Sequence, residues 1–215
     1  MYKAQEKIRI VAVSDTHSRH RELVVPDGDI LIHAGDATMA GTVRELIEFN
    51  AWLGALPHRI KIVCAGNHDW LFEKDPHLAR VILTNARYIE DQLTTTLGLR
   101  IYVSPWQPRF FDWAFNLDRG EPIRAKWDLI PHELDILVTH GPPYGILDVS
   151  GMTGEHVGCE ELRRAVERVR PRVHIFGHIH HSYGVMVHEG IKFINASICD
   201  EGYQPTHAPI IIDLE

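Results

Sequence analysis

Five short apolar runs in this chain each end in residues able to bind a metal or move a proton, and this recurrence constrains the fold more than any other feature. Ile8-Arg9-Ile10-Val11-Ala12-Val13 ends in Ser14-Asp15-Thr16-His17, and Asp29-Ile30-Leu31-Ile32-His33 runs into Ala34-Gly35-Asp36. Ile60-Lys61-Ile62-Val63-Cys64 leads to Ala65-Gly66-Asn67-His68-Asp69, and Asp135-Ile136-Leu137-Val138 to Thr139-His140-Gly141-Pro142-Pro143. Val173-His174-Ile175 leads to Phe176-Gly177-His178-Ile179-His180. An apolar run of this length that breaks at glycine reads as a strand ending in a tight turn that presents side chains. A βα protein gathers its ligands at the carboxyl ends of such strands. The turns are therefore expected at one site, with Ala65 to Asp69 and Phe176 to His180 as its halves. Asp15 and His17 lie two residues apart, so in extended geometry both side chains point the same way.

The intervening segments are read from spacing and caps. Thr42 with Glu45 forms a capping box for a helix over Val43 to Leu53, whose core face is expected to be Val43, Leu46, Ile47 and Leu53. Asp75-Pro76 opens a helix to about Thr84, and a further helix runs from about Cys159 to Val169. Tyr88-Ile89-Glu90 and Leu99 to Val103 are expected to be short strands. The tail reads as three antiparallel strands, Tyr183 to Val187, Ile191 to Ala196 and Ile210 to Asp213, with Glu189-Gly190 as a hairpin turn.

At 215 residues, 45% hydrophobic and 24% charged, the chain is expected to form a single domain, 1–215, with a substantial core. A net charge of −7 with no lysine or arginine block argues against a groove for extended nucleic acid. A small phosphate ligand needs no global positive charge, because metal cations supply it locally. The polar start Met1 to Lys7 leads into an apolar run too short for a signal-peptide core or a membrane span, so a soluble, cytoplasmic protein is expected. Cys64, Cys159 and Cys199, odd in number and widely spaced, favour reduced thiols over disulfides or a thiolate zinc site.

One histidine ending a strand is ordinary; five polar strand ends in phase are not. Asp, Asn and imidazole without thiolate suit a borderline-hard divalent ion, manganese first, with iron or zinc as alternatives. The candidates Asp15, His17, Asp36, Asn67, His68, His140, His178 and His180 exceed what one tetrahedral site uses, which points to two divalent ions.

The ordered set D-x-H, G-D, G-N-H-D, His before Gly, and G-H-x-H, spanning Asp15 to His180, resembles the calcineurin-like metallophosphoesterase superfamily. The resemblance implies a four-layer α/β/β/α sandwich of two mixed sheets flanked by helices. It implies that Asp15, His17 and His180 hold one metal, that Asn67, His140 and His178 hold the other, and that Asp36 bridges them. The physical account agrees: the two oxygens of a carboxylate can each face one cation, and a hydroxide held between two ions is a nucleophile at neutral pH. His68 is then free to stabilise or protonate the leaving oxygen.

A narrower resemblance, to the branch of metallophosphoesterase-domain-containing proteins, lies in Ser104-Pro105-Trp106-Gln107-Pro108, Asp112-Trp113-Ala114-Phe115-Asn116, Arg119-Gly120, Thr139 to Pro143 and Phe193-Ile194-Asn195-Ala196-Ser197. Members of that branch are similar to phosphodiesterases of cyclic nucleotides and simple diesters. After Asp36 the loop Ala37-Thr38-Met39-Ala40-Gly41 lacks the arginine with which phosphoprotein phosphatases grip a monoester dianion, which favours diesters. The aromatic stretch from Trp106 to Phe115 has two readings: a stacking lip for a nucleobase, with Trp106, Trp113 and Asn116 as substrate contacts, or a hydrophobic cluster that anchors a long loop. His33 and His181 are expected to orient ligands, and His207 lies in a Pro-rich tail segment expected to close over the site. His20, His58, His77, His132, His156 and His188 read as solvated, and Asp200 and Glu201 as turn residues. Three functions compete: a two-metal phosphodiesterase for a small diester or nucleotide, a phosphomonoesterase or nuclease on the same core, and a non-catalytic binding module. The filled ligand set argues against the last.

Overall fold

The structure is a computed structural model that describes residues 7–215, so the start of the polar segment read above lies outside the described residues. The elements follow in the order β1 (Ile8–Val13), β2 (Ile30–Ala34), α1 (Val43–Ala55), β3 (Ile60–Cys64), α2 (Trp70–Lys74), α3 (Pro76–Ile82), β4 (Arg87–Tyr88), β5 (Gln92–Thr96), β6 (Leu99–Ser104), β7 (Gln107–Pro108), β8 (Asn116–Leu117), α4 (Glu121–Trp127), β9 (Ile136–Thr139), α5 (Glu160–Val169), β10 (Val173–Phe176), β11 (Gly184–His188), β12 (Ile191–Asn195) and β13 (Ile210–Leu214).

Two large mixed sheets stack face to face, one ordered β13-β1-β2-β3-β4 and the other β11-β12-β10-β9-β6-β5. The central strands of both sheets are largely apolar because each sheet is covered on both faces. Ile10, Ile32, Ile62, Ile101, Val138, Ile175 and Ile194 fill the space between the sheets. Their neighbours Val11, Leu31 and Val63 point the other way, onto Leu46, Phe49, Trp52 and Leu53 of α1. On the far side Tyr102, Leu137 and Phe193 meet Ile123 and Trp127 of α4 and Leu162 and Val166 of α5. The α/β/β/α order of layers follows from these three clusters.

The capping box of α1 is present: the Glu45 amide donates to Thr42 Oγ1 (3.2 Å) and the Thr42 amide to the Glu45 carboxylate (2.9 Å). Its buried face differs from the expected one. Leu46 and Leu53 are buried, but Val43 and Ile47 are 41% and 52% exposed, and Phe49 and Trp52 take their place. The larger rings at i+3 and i+6 from Leu46 bury more apolar area on the sheet than two β-branched residues would. Asp75 caps α3 through the Leu78 amide (3.0 Å).

The tail departs from a three-stranded meander. β11 and β12 form the expected hairpin across Glu189 and Gly190, both at positive φ as a two-residue turn requires. β12 then runs parallel to β10, while β13 leaves for the other sheet and pairs antiparallel with β1. Strand β5, absent from the expectations, is polar on its outer face and sits at the edge of its sheet. No helix of the described residues is long and apolar enough to cross a membrane.

Candidate metal centre

The carboxyl ends of β1, β2, β3, β9 and β10 converge where the two sheets touch. The Ser14 amide donates to Ala196 O (2.8 Å), the Ile198 amide to Ser14 O (2.9 Å) and the Gly177 amide to His140 O (2.9 Å). The loop after β1 lies along the loop after β2, with the Asp15 amide on Gly35 O (2.9 Å) and the His17 amide on Asp36 O (3.0 Å). Asp15 and His17 do not converge through extended backbone as their spacing suggests. Asp15, His17 and Ser18 have φ of 53°, 41° and 63°, and Asp36 and His178 have 55° and 70°. Left-handed backbone at a non-glycine residue stores strain and persists where the surroundings over-determine it. Here it turns each side chain inward.

Three groups result: Asp15, His17 and His180; Asp36, His140 and His178; and His17, Asp36 and His68, each with ligand atoms within 4.8 Å of one another. His17 Nε2 is 3.2 Å from His180 Nε2, and Asp15 Oδ1 is 3.4 Å from His180 Nε2 and 4.0 Å from His17 Nε2. In the second group Asn67 Oδ1 lies 2.9 Å and Asp36 Oδ2 3.4 Å from His140 Nε2. Asp36 does not offer both oxygens. Its Oδ1 accepts the His68 amide (2.7 Å), and Oδ2 alone faces both groups, 3.9 Å from His17 Nε2 on the other side.

These side chains are held by partners outside the cluster. Asp15 Oδ2 accepts the Ser197 hydroxyl and the His178 amide, both at 2.9 Å. Nδ1–H groups donate to backbone carbonyls: His140 to Ala34 (3.0 Å), His180 to Asp200 (2.8 Å) and His68 to Met39 (2.6 Å). Asp69 joins the turns: its carboxylate accepts the amides of Gly66, Ala37 and Thr38 and the Thr38 hydroxyl. His33 is buried as an orienting residue should be, with Nε2 on Thr16 Oγ1 (3.0 Å), whereas His181 is exposed.

The donor set fits divalent cations on two observations. Asp15 Oδ1 is buried without a hydrogen-bond partner among the described residues, and a bare interior carboxylate oxygen is costly unless a cation faces it. Two nitrogen ligands each ~2.1 Å from one ion stand about 3 Å apart, which is close to the spacing of His17 and His180. Electrostatics agree. Burial would raise both carboxylates, but His180, His140 and His17 pull Asp15 well below its usual range, and His140 chiefly does the same for Asp36. Burial holds His17 at about 4 and His178 at about 3, so both are neutral ligands at ordinary pH. Burial opposes protonation of His140, yet Asp36 outweighs it and brings this ring to about 9, a measure of how strongly the position favours a cation.

The aromatic stretch divides. The Ala114 amide donates to Asn67 O (3.2 Å) and lays Trp113 over His68, ring centroids 4.3 Å apart. Trp106 goes elsewhere: its indole N–H donates to Asp91 (2.9 Å), its ring packs edge-on against Phe115, and Lys126 sits 4.3 Å above it. Asn116 is used within its own loop, where Nδ2 donates to the carbonyls of Phe110 and Phe111 and Oδ1 accepts from Gln107. Both serve the loop, because a partly buried indole N–H and amide need partners and find them locally. His20 and His58 are buried, not solvated: His20 packs on Phe49 and Trp52, a nonlocal contact without sequence periodicity. The tail does reach the site, through Tyr203 and not His207. Tyr203 packs edge-on against His17 at 4.7 Å, while His207 stacks on Tyr183 at 4.2 Å. A lone tyrosine in a polar turn carries no signal that would have singled it out.

The family model described as calcineurin-like phosphoesterase matches residues 8–182. Metallophosphoesterase domain-containing protein 1 of Homo sapiens is 46% identical over 230 residues, covering 96% of this chain and 71% of that protein. A UPF0046 protein of Caenorhabditis elegans is 40% identical over 231 residues, covering 98% of this chain and 82% of its own. Among solved structures, a phosphopantetheinyl hydrolase from Mycobacterium tuberculosis shares the fold with a TM-score of 0.57 at 16% identity, over 96% of this chain and 97% of that one.

Proposed function

Because this chain belongs to the calcineurin-like phosphoesterase family and is a hydrolase of the metallophosphoesterase type, we propose that it hydrolyses small phosphodiesters, cyclic nucleotides among them, as a single domain with two divalent ions. The observation that carries this reading is that two ligand groups meet on Asp36 beside a bare, buried oxygen of Asp15. Asp15, His17 and His180 would hold one ion and Asn67, His140 and His178 the other, with Asp36 shared through Oδ2. Bound there, such ions bring the pKa of water from 15.7 to about 7 and neutralise charge on a phosphoryl group. Carboxylate, amide oxygen and imidazole without thiolate make manganese the first ion to test, with iron and zinc next.

The chain's own groups supply the rest. His68 donates Nδ1–H to Met39 O, which leaves Nε2 to meet the leaving oxygen of a substrate. Trp113, laid over His68, offers a face on which a base can stack. The diester preference rests on the loop after Asp36, which carries no arginine and whose amides are already taken: Ala37 and Thr38 donate to Asp69, Met39 and Ala40 to Glu45. The expected partner is therefore a small diester or nucleotide, neither extended nucleic acid nor a membrane. Three free, buried thiols suit a reducing compartment, and a cytoplasmic location belongs to the same reading.

The test is hydrolysis of bis-p-nitrophenyl phosphate against the corresponding monoester, by metal-stripped protein before and after Mn²⁺, with Asp36→Asn as control. Diester turnover that appears only with metal and collapses in the control is the expected result. Metal binding with no turnover of either ester refutes it.

A further inference from the structure

The rings of the cluster are not oriented alike. His140, His180 and His68 each have Nδ1 on a backbone carbonyl, whereas His17 Nδ1 is buried with no hydrogen-bond partner among the described residues. What touches His17 instead are two rings met edge-on: His68 at 4.6 Å, itself held on Met39 O, and Tyr203 at 4.7 Å. The Tyr203 ring stands 5.7 Å from His180 and 6.1 Å from His68. Tyr203 has a φ of 57°, strain that only a clamped turn would keep. The clamp is visible. Asp200 Oδ1 accepts the amides of Gly202 and Gln204, both at 2.9 Å. Arg19, two residues past His17, donates Nε–H to Tyr203 O (3.3 Å) and Nη2–H to Gln204 Oε1 (2.5 Å). Asp200 O in turn receives His180 Nδ1–H (2.8 Å).

Residues 199–206 thus support both histidines of one half of the centre. The other half is built without them: His140 directly follows β9 and leans on Ala34, the last residue of β2, and Asn67, Asp36 and His178 complete it. Only the first half leans on this surface turn, in which Tyr203 is 38% exposed.

Resting on the two-ion reading above, we propose that Tyr203 is a positioning residue for the Asp15–His17–His180 half, and that the Tyr203–Arg19 clamp makes this the metal position that fills last and empties first. Packing by a ring replaces the hydrogen bond that usually orients a metal-ligating imidazole, so affinity at this position follows the clamp. Groups that orient a ligand typically change metal affinity 10- to 100-fold.

The experiment is calorimetric titration of metal-stripped protein with Mn²⁺, with electron paramagnetic resonance to separate an isolated ion from a coupled pair, on wild type, Tyr203→Ala, Arg19→Ala and Tyr203→Phe. Wild type is expected to bind two ions unequally. The two alanine variants weaken only the weaker position, by about 10-fold or more, and at intermediate Mn²⁺ the coupled-pair spectrum gives way to the isolated-ion spectrum. Tyr203→Phe restores wild-type values, since the ring and not the hydroxyl makes the contact. Thermal unfolding in EDTA checks that each variant folds. Equal positions in wild type, equal weakening of both, no weakening, or no rescue by phenylalanine overturns the proposal. A wild type that binds one ion or none refutes the two-ion reading itself, before any substitution is made.

Discussion

Gly177→Ala tests whether the site is fixed by close approach of its turns. Gly177 is not among the glycines at positive φ, so space and not backbone conformation excludes a side chain there. A Cβ at this position would fall on Asp15 Oδ2 and Ser14 Oγ and stand 2.6 Å from Ser14 Cβ, where ordinary contact begins at 3.4 Å, a shortfall of about 0.8 Å. The backbone has little room to yield, since Ser14 is bonded on both sides to the 196–198 segment and Gly177 to His140 O. The Asp15 carboxylate must give way, and with it the bonds from Ser197 and the His178 amide. Each bond to a charged group contributes ~1.5–3 kcal/mol, and overpacking costs ~1–3 kcal/mol. Relaxation recovers part of this, so the expected loss is about 3–5 kcal/mol, the top of the range for one substitution. Chemical denaturation in EDTA reads that loss without metal, and Mn²⁺ stoichiometry should fall from two ions to one. Gly98→Ala is the contrast: φ is +82° with nothing within 4 Å, so it costs ~1–2 kcal/mol and keeps both ions. A Gly177→Ala chain within about 1 kcal/mol of wild type, or one that binds two ions with wild-type affinity, refutes the reasoning.

Two further outcomes are expected. His68→Ala lowers turnover on the diester by roughly 10²–10⁴ with both ions retained by elemental analysis; loss of an ion would assign His68 to the ligand set instead. His174 is fully buried with Nε2 on Thr139 Oγ1 (2.8 Å), and burial lowers its pKa from 6.5 to about 3. Between those values the unfolded chain binds a proton that the folded chain refuses, so the stability this ring allows is complete above 6.5 and falls as pH drops toward 3. His174→Gln should reduce the slope of stability against pH by about 1.4 kcal/mol per unit in that window, measured by urea unfolding in EDTA; an unchanged slope contradicts it.

The strands were legible because burial on both faces leaves unbroken apolar runs, and the bounds of β1 and β3 match those runs residue for residue. The α1 cap was legible because it is a local contact of four residues. The polar strand ends were legible by position, and the fold brings them together at the junction of the sheets. Other features depend on contacts that residue type and spacing do not encode. The inward turn of Asp15 and His17 comes from left-handed backbone, and the choice of Asp36 Oδ2 comes from the His68 amide on the other oxygen. Burial of His20 requires α1 beside it, Tyr203 reaches His17 across more than 180 residues, and β13 changes sheet to pair with β1.

That last pairing bears on how the chain is made. Ile8 is opposite Leu214, so β1 waits for β13, at the far end of the described residues, before its outer edge is covered. Asp15 waits almost as long, for the hydroxyl of Ser197. Pairings this distant raise the contact order and slow folding. Meanwhile β1 presents an apolar edge with unpaired amides and carbonyls, a template for any other strand. Synthesis interrupted before residue 197 would therefore release a chain with neither a closed sheet nor an anchored Asp15, and such a species is prone to edge-to-edge association until a chaperone or protease removes it.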